Sequence, residues 1–194
     1  MKKFVLSAII ACISFSAFAQ FRLEGGYINQ KISDEDSDNE VSLSGVKIGG
    51  YYIIKDVFTP NSVTEIGVTF ATLSDKEQGI RFIHSDFTMP INFGYICIVN
   101  NIFSLRPYVG VNYKWNTKFE GSKDGVSVDM LNGMFIKEYT EMEVNKLQYG
   151  GQIGAVCQWK KFTLTYQYQN DFNDLYSGTK FKFKTNAITI GYSF

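Results

Sequence analysis

The sequence has 194 residues, with 19 basic and 19 acidic side chains, so its formal net charge at pH 7 is zero. This balance argues against nucleic acid as a partner, because nucleic-acid-binding domains carry a basic excess. The chain has 17 Phe, 12 Tyr and 17 Gly but only 3 Pro, a composition that favours strands over helices. Its length is sufficient for one domain.

The first residues predict a cleaved secretory signal. Lys2 and Lys3 precede an apolar run, and Ala17-Phe18-Ala19 matches an A-x-A cleavage site. The run has about fifteen residues, whereas a membrane-spanning helix needs about 20. A lipid-attachment site at Cys12 is the alternative, but the residues after it stay apolar instead of forming a polar tether. We therefore predict a signal peptide over 1–19 and a single mature domain over 20–194.

In the mature chain, large apolar residues alternate with small or polar residues at period two. This alternation is typical of strands that have two different faces. No helical period continues beyond about one turn of 3.6 residues. The eight predicted strands contain residues 21–27, 44–54, 65–70, 86–95, 106–115, 147–159, 162–169 and 186–194.

Two kinds of connection alternate between these strands. One set is polar and sometimes long, and the other set is short. Outer-membrane β-barrels have short turns on one rim and long loops on the other, and an even strand number leaves both termini on the short-turn rim. We predict an all-β fold, an eight-stranded antiparallel up-and-down transmembrane β-barrel. The polar connections span 33–40, 74–79, 116–145 and 170–179, and the short ones span 55–61, 99–103 and 160–161.

The last strand has the clearest alternation. Ile188, Ile190, Tyr192 and Phe194 share one face, opposite small or weakly polar residues. This ending resembles the C-terminal signal of bacterial outer-membrane barrels. The resemblance implies that the outer-membrane assembly machinery binds this strand. We predict that the strand closes the barrel against the first and seventh strands.

A soluble lipocalin-like barrel is an alternative, because it also alternates but has its apolar face inside. Three features favour a barrel whose outer, apolar face contacts lipid. The face opposite the apolar one is Gly, Thr, Gln and Asn with a few charges, and the chain ends on Phe. The third feature is a set of aromatic residues near strand ends, as an interfacial girdle requires: Trp115, Trp159, Tyr27 and Tyr192.

Two segments carry a family resemblance. Residues 86–95 (DFTMPINFGY) and 105–111 (LRPYVGV) resemble the porin-like outer-membrane β-barrel domain family, the small OmpA/OmpX-type barrels of Gram-negative bacteria. The resemblance implies an outer-membrane location, with outer-membrane lipid, lipopolysaccharide and the assembly machinery as partners. It implies no defined activity for most members. We expect a monomer that is not an enzyme and has no cofactor.

Seven charged residues are predicted to face the lumen. An eight-stranded barrel is about wide enough for side chains to fill it, so such charges must pair or meet trapped water. We predict a largely plugged lumen, with a narrow porin-like channel as the alternative. The residues are Arg22, Lys47, Arg106 and Lys114, with Glu24, Glu65 and Asp86.

Other candidate sites are weaker. His84 and Ser85 faintly resemble a lipid A deacylase motif, but adjacent strand residues point to opposite faces. The acidic loop fails the EF-hand template, because Asn39 stands where Gly is needed. Lys182 and Lys184 share a face with Ile188, which predicts a position at the outer rim near lipopolysaccharide phosphate.

Overall fold

The structure is a computed structural model that describes residues 19–34, 40–77, 79–98, 100, 102–123, 126–132, 144–177 and 181–194. The predicted signal peptide up to residue 18, most of the acidic loop and part of the long connection lie outside these residues. Within them, no helix has the length and apolar character needed to cross a membrane.

The described residues form ten strands, and eight of them close into an antiparallel barrel. The strand order is β4-β3-β2-β1-β10-β9-β8-β6, and β6 also pairs with β4. The predicted eight-stranded up-and-down barrel is therefore confirmed. The two short strands β5 and β7 pair only with β6. The bounds are β1 Ala19–Asp34, β2 Glu40–Lys55, β3 Ser62–Glu77, β4 Ile80–Tyr95, β5 Cys97–Ile98, β6 Phe103–Lys123, β7 Val126–Asp129, β8 Leu147–Trp159, β9 Phe162–Asp171 and β10 Phe181–Ser193.

The barrel closes between the first and last strands, as predicted. Leu23 of β1 lies opposite Tyr192 of β10. On its other side β10 pairs with β9, where Phe162 lies opposite Tyr192. The Phe194 amide donates a hydrogen bond to the Phe21 carbonyl at 2.8 Å, so the terminal residue is joined to β1.

The strands extend further at the long-loop end than predicted. The predicted connection 74–79 is wrong, because β3 continues to Glu77 and β4 begins at Ile80. The predicted connection 116–145 is also wrong at its start, because β6 continues to Lys123 and is followed by β7. The extension of β3 is polar on both faces, and the extension of β6 is polar on its outer face, so the alternation of apolar and polar residues ends there. Backbone pairing does not require apolar side chains, and the hydrogen-bonded ladder continues.

A β-bulge lies where the sequence pattern of β6 ends. Asp86 of β4 pairs with Asn116, but Ser85 pairs with Lys118, which leaves Thr117 as the extra residue. The Thr117 hydroxyl donates to the Ser85 carbonyl at 3.0 Å. Because a bulge shifts the alternation by one residue, Asn116 and Phe119 are both buried inside the barrel.

The outer face of the strands is apolar and exposed, and it is banded by aromatic rings at the short-turn end. Phe21 and Phe194 have ring centroids 6.2 Å apart, and Tyr192 lies 5.5 Å from Phe162 and 5.1 Å from Phe194. Of the predicted assembly-signal residues, Ile188, Ile190 and Phe194 are exposed on this face. Other exposed apolar residues of the band include Ile48, Val68, Met89, Val109, Trp115, Ile153, Trp159 and Leu164.

Candidate functional site

The charged residues predicted for the lumen are all buried. They come from β1, β2, β3, β4 and β6. Asp171 of β9 is a further buried carboxylate, whereas the sequence predicts a loop over 170–179. Asp171 continues the period-two alternation of Gln167 and Gln169, and this pattern could have predicted that it faces the interior. Within the described chain the buried side chains thus include four Lys or Arg and four Asp or Glu: Arg22, Lys47, Arg106 and Lys114, with Glu24, Glu65, Asp86 and Asp171.

Glu65 is the centre of the ion pairs near the short-turn end. Arg22 binds it through two nitrogens, with Nη1–Oε1 at 2.9 Å and Nη2–Oε2 at 3.3 Å. Arg106 Nη2 also donates to Glu65 Oε1. The Arg22 Nε lies 3.3 Å from Glu24 Oε2. One carboxylate from β3 therefore joins arginines of β1 and β6.

Two tyrosine rings fill the space beside these ion pairs. Tyr51 lies under the Arg22 guanidinium, whose carbon is 4.6 Å from the ring centroid. Glycines make room for both rings. A Cβ on Gly67 would lie 2.6 Å from Tyr51 Cδ1, and a Cβ on Gly154 would lie 2.5 Å from Tyr108 Oη. Larger residues at these two positions would displace the rings.

A chain of amide side chains crosses the middle of the barrel. Lys47 Nζ donates to Gln167 Oε1 at 2.7 Å, and Gln167 Nε2 donates to Gln152 Oε1 at 2.8 Å. Gln152 Nε2 donates to Asn92 Oδ1, and Asn92 Nδ2 donates to Glu65 Oε2 at 3.4 Å. This series links Lys47 to the ion pairs around Glu65 without another charge between them.

Lys114 and Asp171 form a second buried ion pair, nearer the long-loop end. Gln169 Nε2 also donates to Asp171, at 3.1 Å. The Lys114 ammonium lies 4.2 Å from the centroid of the Phe183 ring, on the side facing the long loops. Lys114 thus marks the boundary between the polar middle of the barrel and an apolar layer.

His84 is buried at this boundary. Its Nε2 lies 2.9 Å from Asn116 Oδ1, and its ring stacks on Phe183 with centroids 5.0 Å apart. The Ser85 hydroxyl instead contacts Thr72 on the outer side, at 3.1 Å. His84 and Ser85 therefore point to opposite faces and form no catalytic pair. Among the described residues, no cluster of His, Cys, Asp or Glu is suited to bind a metal ion.

The interior at the long-loop end is apolar, which differs from the polar inner face expected from the sequence. The cluster, here called the apolar cap, includes side chains from five strands and two loop leucines. The strand residues follow the inward parity of their neighbours. Apart from Ala187, they lie beyond the predicted strand ends or, like Phe119, beyond the bulge. The cap consists of Ile28, Ile32, Leu43, Ala71, Leu73, Phe119, Leu131, Leu175, Phe183 and Ala187.

Contacts between two loops hold the leucines of the apolar cap in place. The Leu175 amide donates to the Phe181 carbonyl at 2.9 Å, and Val144 forms a β-bridge with Tyr176. The Tyr176 hydroxyl donates to the Met130 carbonyl at 3.2 Å. Burial, with a smaller effect of the Asp129 carboxylate, raises the pKa of Tyr176 to about 12, so this hydroxyl keeps its proton at neutral pH.

Comparison with known proteins identifies the fold. Ail, the attachment invasion locus protein of Yersinia pestis, is similar with 15% identity and a TM-score of 0.51 over 91% of this chain and 99% of that chain. Neisserial surface protein A is similar with 11% identity and a TM-score of 0.57 over 90% and 97% of the two chains. No protein-family model and no curated protein sequence matches the chain.

The fold and the outer surface together indicate the surroundings of the protein. A closed barrel has no strand edge to satisfy, and an exposed apolar band with aromatic rims is the surface that a bilayer covers. Lipid rather than water therefore surrounds the strands, and the barrel lies in an outer membrane. The chain has the fold of the small eight-stranded outer-membrane β-barrels.

Proposed function

We propose that this chain is an integral outer-membrane protein of a Gram-negative bacterium, with a structural or surface-interaction role and a lumen that is closed to ions. The observation that carries this proposal is the filled interior, in which paired charges and linked amides lie beneath the apolar cap. A pore for hydrophilic solutes requires a continuous column of water. Here an ion would have to shed its hydration shell among the leucines and phenylalanines of the cap, which is costly.

Single-channel recording in planar bilayers tests the closed lumen. We expect no steady conductance from the purified folded protein. The double variant Phe119→Ala/Phe183→Ala removes two rings from the apolar cap and should be the first to leak, and a general porin provides the positive control. Steady conductance steps from the unmodified protein would instead support the narrow channel.

We propose that the protein is not an enzyme. The sole histidine of the chain is enclosed by Phe119, Phe183 and Asn116. A general base must reach its substrate, and lipid has no access to this position. Lipid A from cells with and without the protein should therefore have the same mass spectrum, whereas a change in acylation that His84→Ala abolishes would contradict this.

We propose that the long-loop end faces the cell exterior and that lipopolysaccharide surrounds it. Lys182 and Lys184 lie on the outer side of β10 near this end, because their neighbours Phe183 and Thr185 are buried inside. Ammonium groups at that height suit lipopolysaccharide phosphate. The similar protein Ail is named an attachment invasion locus protein, and this name supports a surface-interaction role.

A further inference from the structure

The short-turn end of the barrel contains a cavity that side chains of the interior do not fill. It has a volume of about 380 Å³ and lies between the β2–β3 turn, the segment around β5 and the β8–β9 turn. Its inner wall includes Arg106, which belongs to the ion pairs around Glu65. The cavity is within the size range of small-molecule sites, about 300–1,000 Å³.

Cations outnumber carboxylates in the lining of this cavity. Lys55 and Arg106 contribute cations, and Asp56 is the single carboxylate among the lining residues. Lys160 also borders the cavity, but its ammonium lies 5.6 Å from the centroid of the exposed Trp159 ring. Asp56 Oδ1 already accepts a hydrogen bond from the Asn61 amide at 2.6 Å. The carboxylate thus stabilises its own turn as well as facing the two cations.

Several donors around the cavity lack a full set of acceptors. Arg106 is 4% exposed, and its Nε has no hydrogen-bond partner, although Nη2 donates to Glu65. Lys55 forms no ion pair within the described part of the chain. Asn100 accepts the amides of Ile102 and Phe103 through Oδ1, at 2.9 and 2.8 Å, so its NH₂ group remains available. A buried arginine with unused N–H groups needs an acceptor.

We propose that this cavity binds an oxyanion, a phosphate or carboxylate group of a small molecule on the short-turn side of the membrane. Lys55 would hold the anionic group from the rim while Arg106 meets it from below. Val156 and Ile96 form an apolar part of the wall, which suits a ligand with a short apolar portion beside its charge. The site is independent of the closed lumen, because it opens away from the apolar cap.

Titration with inorganic phosphate and, separately, with sodium acetate tests the proposal. The folded full chain in nonionic detergent is followed by amide NMR shifts in the turns around residues 55–61 and 100–106, with chloride used to keep the ionic strength constant. We expect saturable shifts with at least one of the two anions. The tighter anion identifies the preferred group.

Lysine variants separate a built site from general charge. Lys55→Gln should weaken binding about tenfold, because it loses a charge-assisted hydrogen bond. Lys161→Gln is the matched control, since the Lys161 ammonium lies 5.7 Å from the Tyr192 ring centroid and outside the cavity. Binding is compared only for variants that keep the gel mobility of a folded barrel. Shifts that do not saturate with either anion, or equal weakening by Lys161→Gln, would overturn the proposal.

Discussion

At the scale of single residues, Glu65 has the most side-chain partners among the buried carboxylates of the described chain. It is 1% exposed and accepts hydrogen bonds from Arg22, Arg106 and Asn92. A buried charge is tolerated only when it is paired and hydrogen-bonded. Loss of this carboxylate would leave Arg106 without its ion pair and Arg22 with Glu24 alone. By contrast, the exposed pair Lys118–Glu120 at 3.0 Å is screened by water.

Glu65→Ala should therefore lower the free energy of unfolding by about 3–5 kcal/mol. Urea unfolding of the barrel in liposomes, followed by tryptophan fluorescence, measures this change. Glu120→Gln is the control and should cost less than about 1 kcal/mol. Equal, small effects of the two substitutions would mean that water, rather than Glu65, compensates the arginines.

At the scale of elements, β10 pairs with β1 to close the barrel and carries the predicted assembly signal. Phe194 contributes a backbone hydrogen bond to β1 and two ring contacts, with Phe21 and Tyr192. Deletion of Phe194 should reduce the folded fraction in outer membranes several-fold, because it removes both the closing contacts and the terminal aromatic residue. Unheated and heated samples on a gel report the folded fraction.

Phe172→Ala is the matched control for this deletion. Phe172 is also an exposed aromatic residue, and it contacts Tyr149 at the long-loop end. We expect it to leave assembly nearly unchanged. If the two variants assemble equally well, the terminal residue has no special role in assembly.

The middle of each strand could be predicted from the sequence, but the strand ends could not. Inside the bilayer one face must be apolar, and this requirement produces the alternation that located Arg22, Lys47 and Arg106 on the inner face. Beyond the bilayer that requirement ends. The bulge at Thr117 then inverts the parity that would have identified Phe119, and Leu131 and Leu175 of the apolar cap come from segments without any period.

At the scale of the whole molecule, the two ends of the barrel differ. The long-loop end has extended strands and the apolar cap, whereas the short-turn end has tight turns and the cationic cavity. Exposed residues mark each end, Lys76 on β3 and Cys97 on β5. These two positions allow the orientation in the membrane to be measured in living cells.

Lys76→Cys, in a background of Cys97→Ser and Cys157→Ser, should react in intact cells with a maleimide that cannot cross the outer membrane. The native Cys97 is the matched control and should react only after the outer membrane is permeabilised. Labelling is measured on the purified protein by mass. The reverse pattern would show that the short-turn end faces outward.

The distances along the chain between paired lumen residues have a consequence for folding. Glu65 is 43 residues from Arg22 and 41 from Arg106, and Lys47 is 120 residues from Gln167. None of these pairs can form before several strands have met. A slip of one residue in any strand would also turn its charges from the inside toward lipid. The polar interior therefore disfavours one-residue slips in strand register, because such a slip would expose charges to the bilayer.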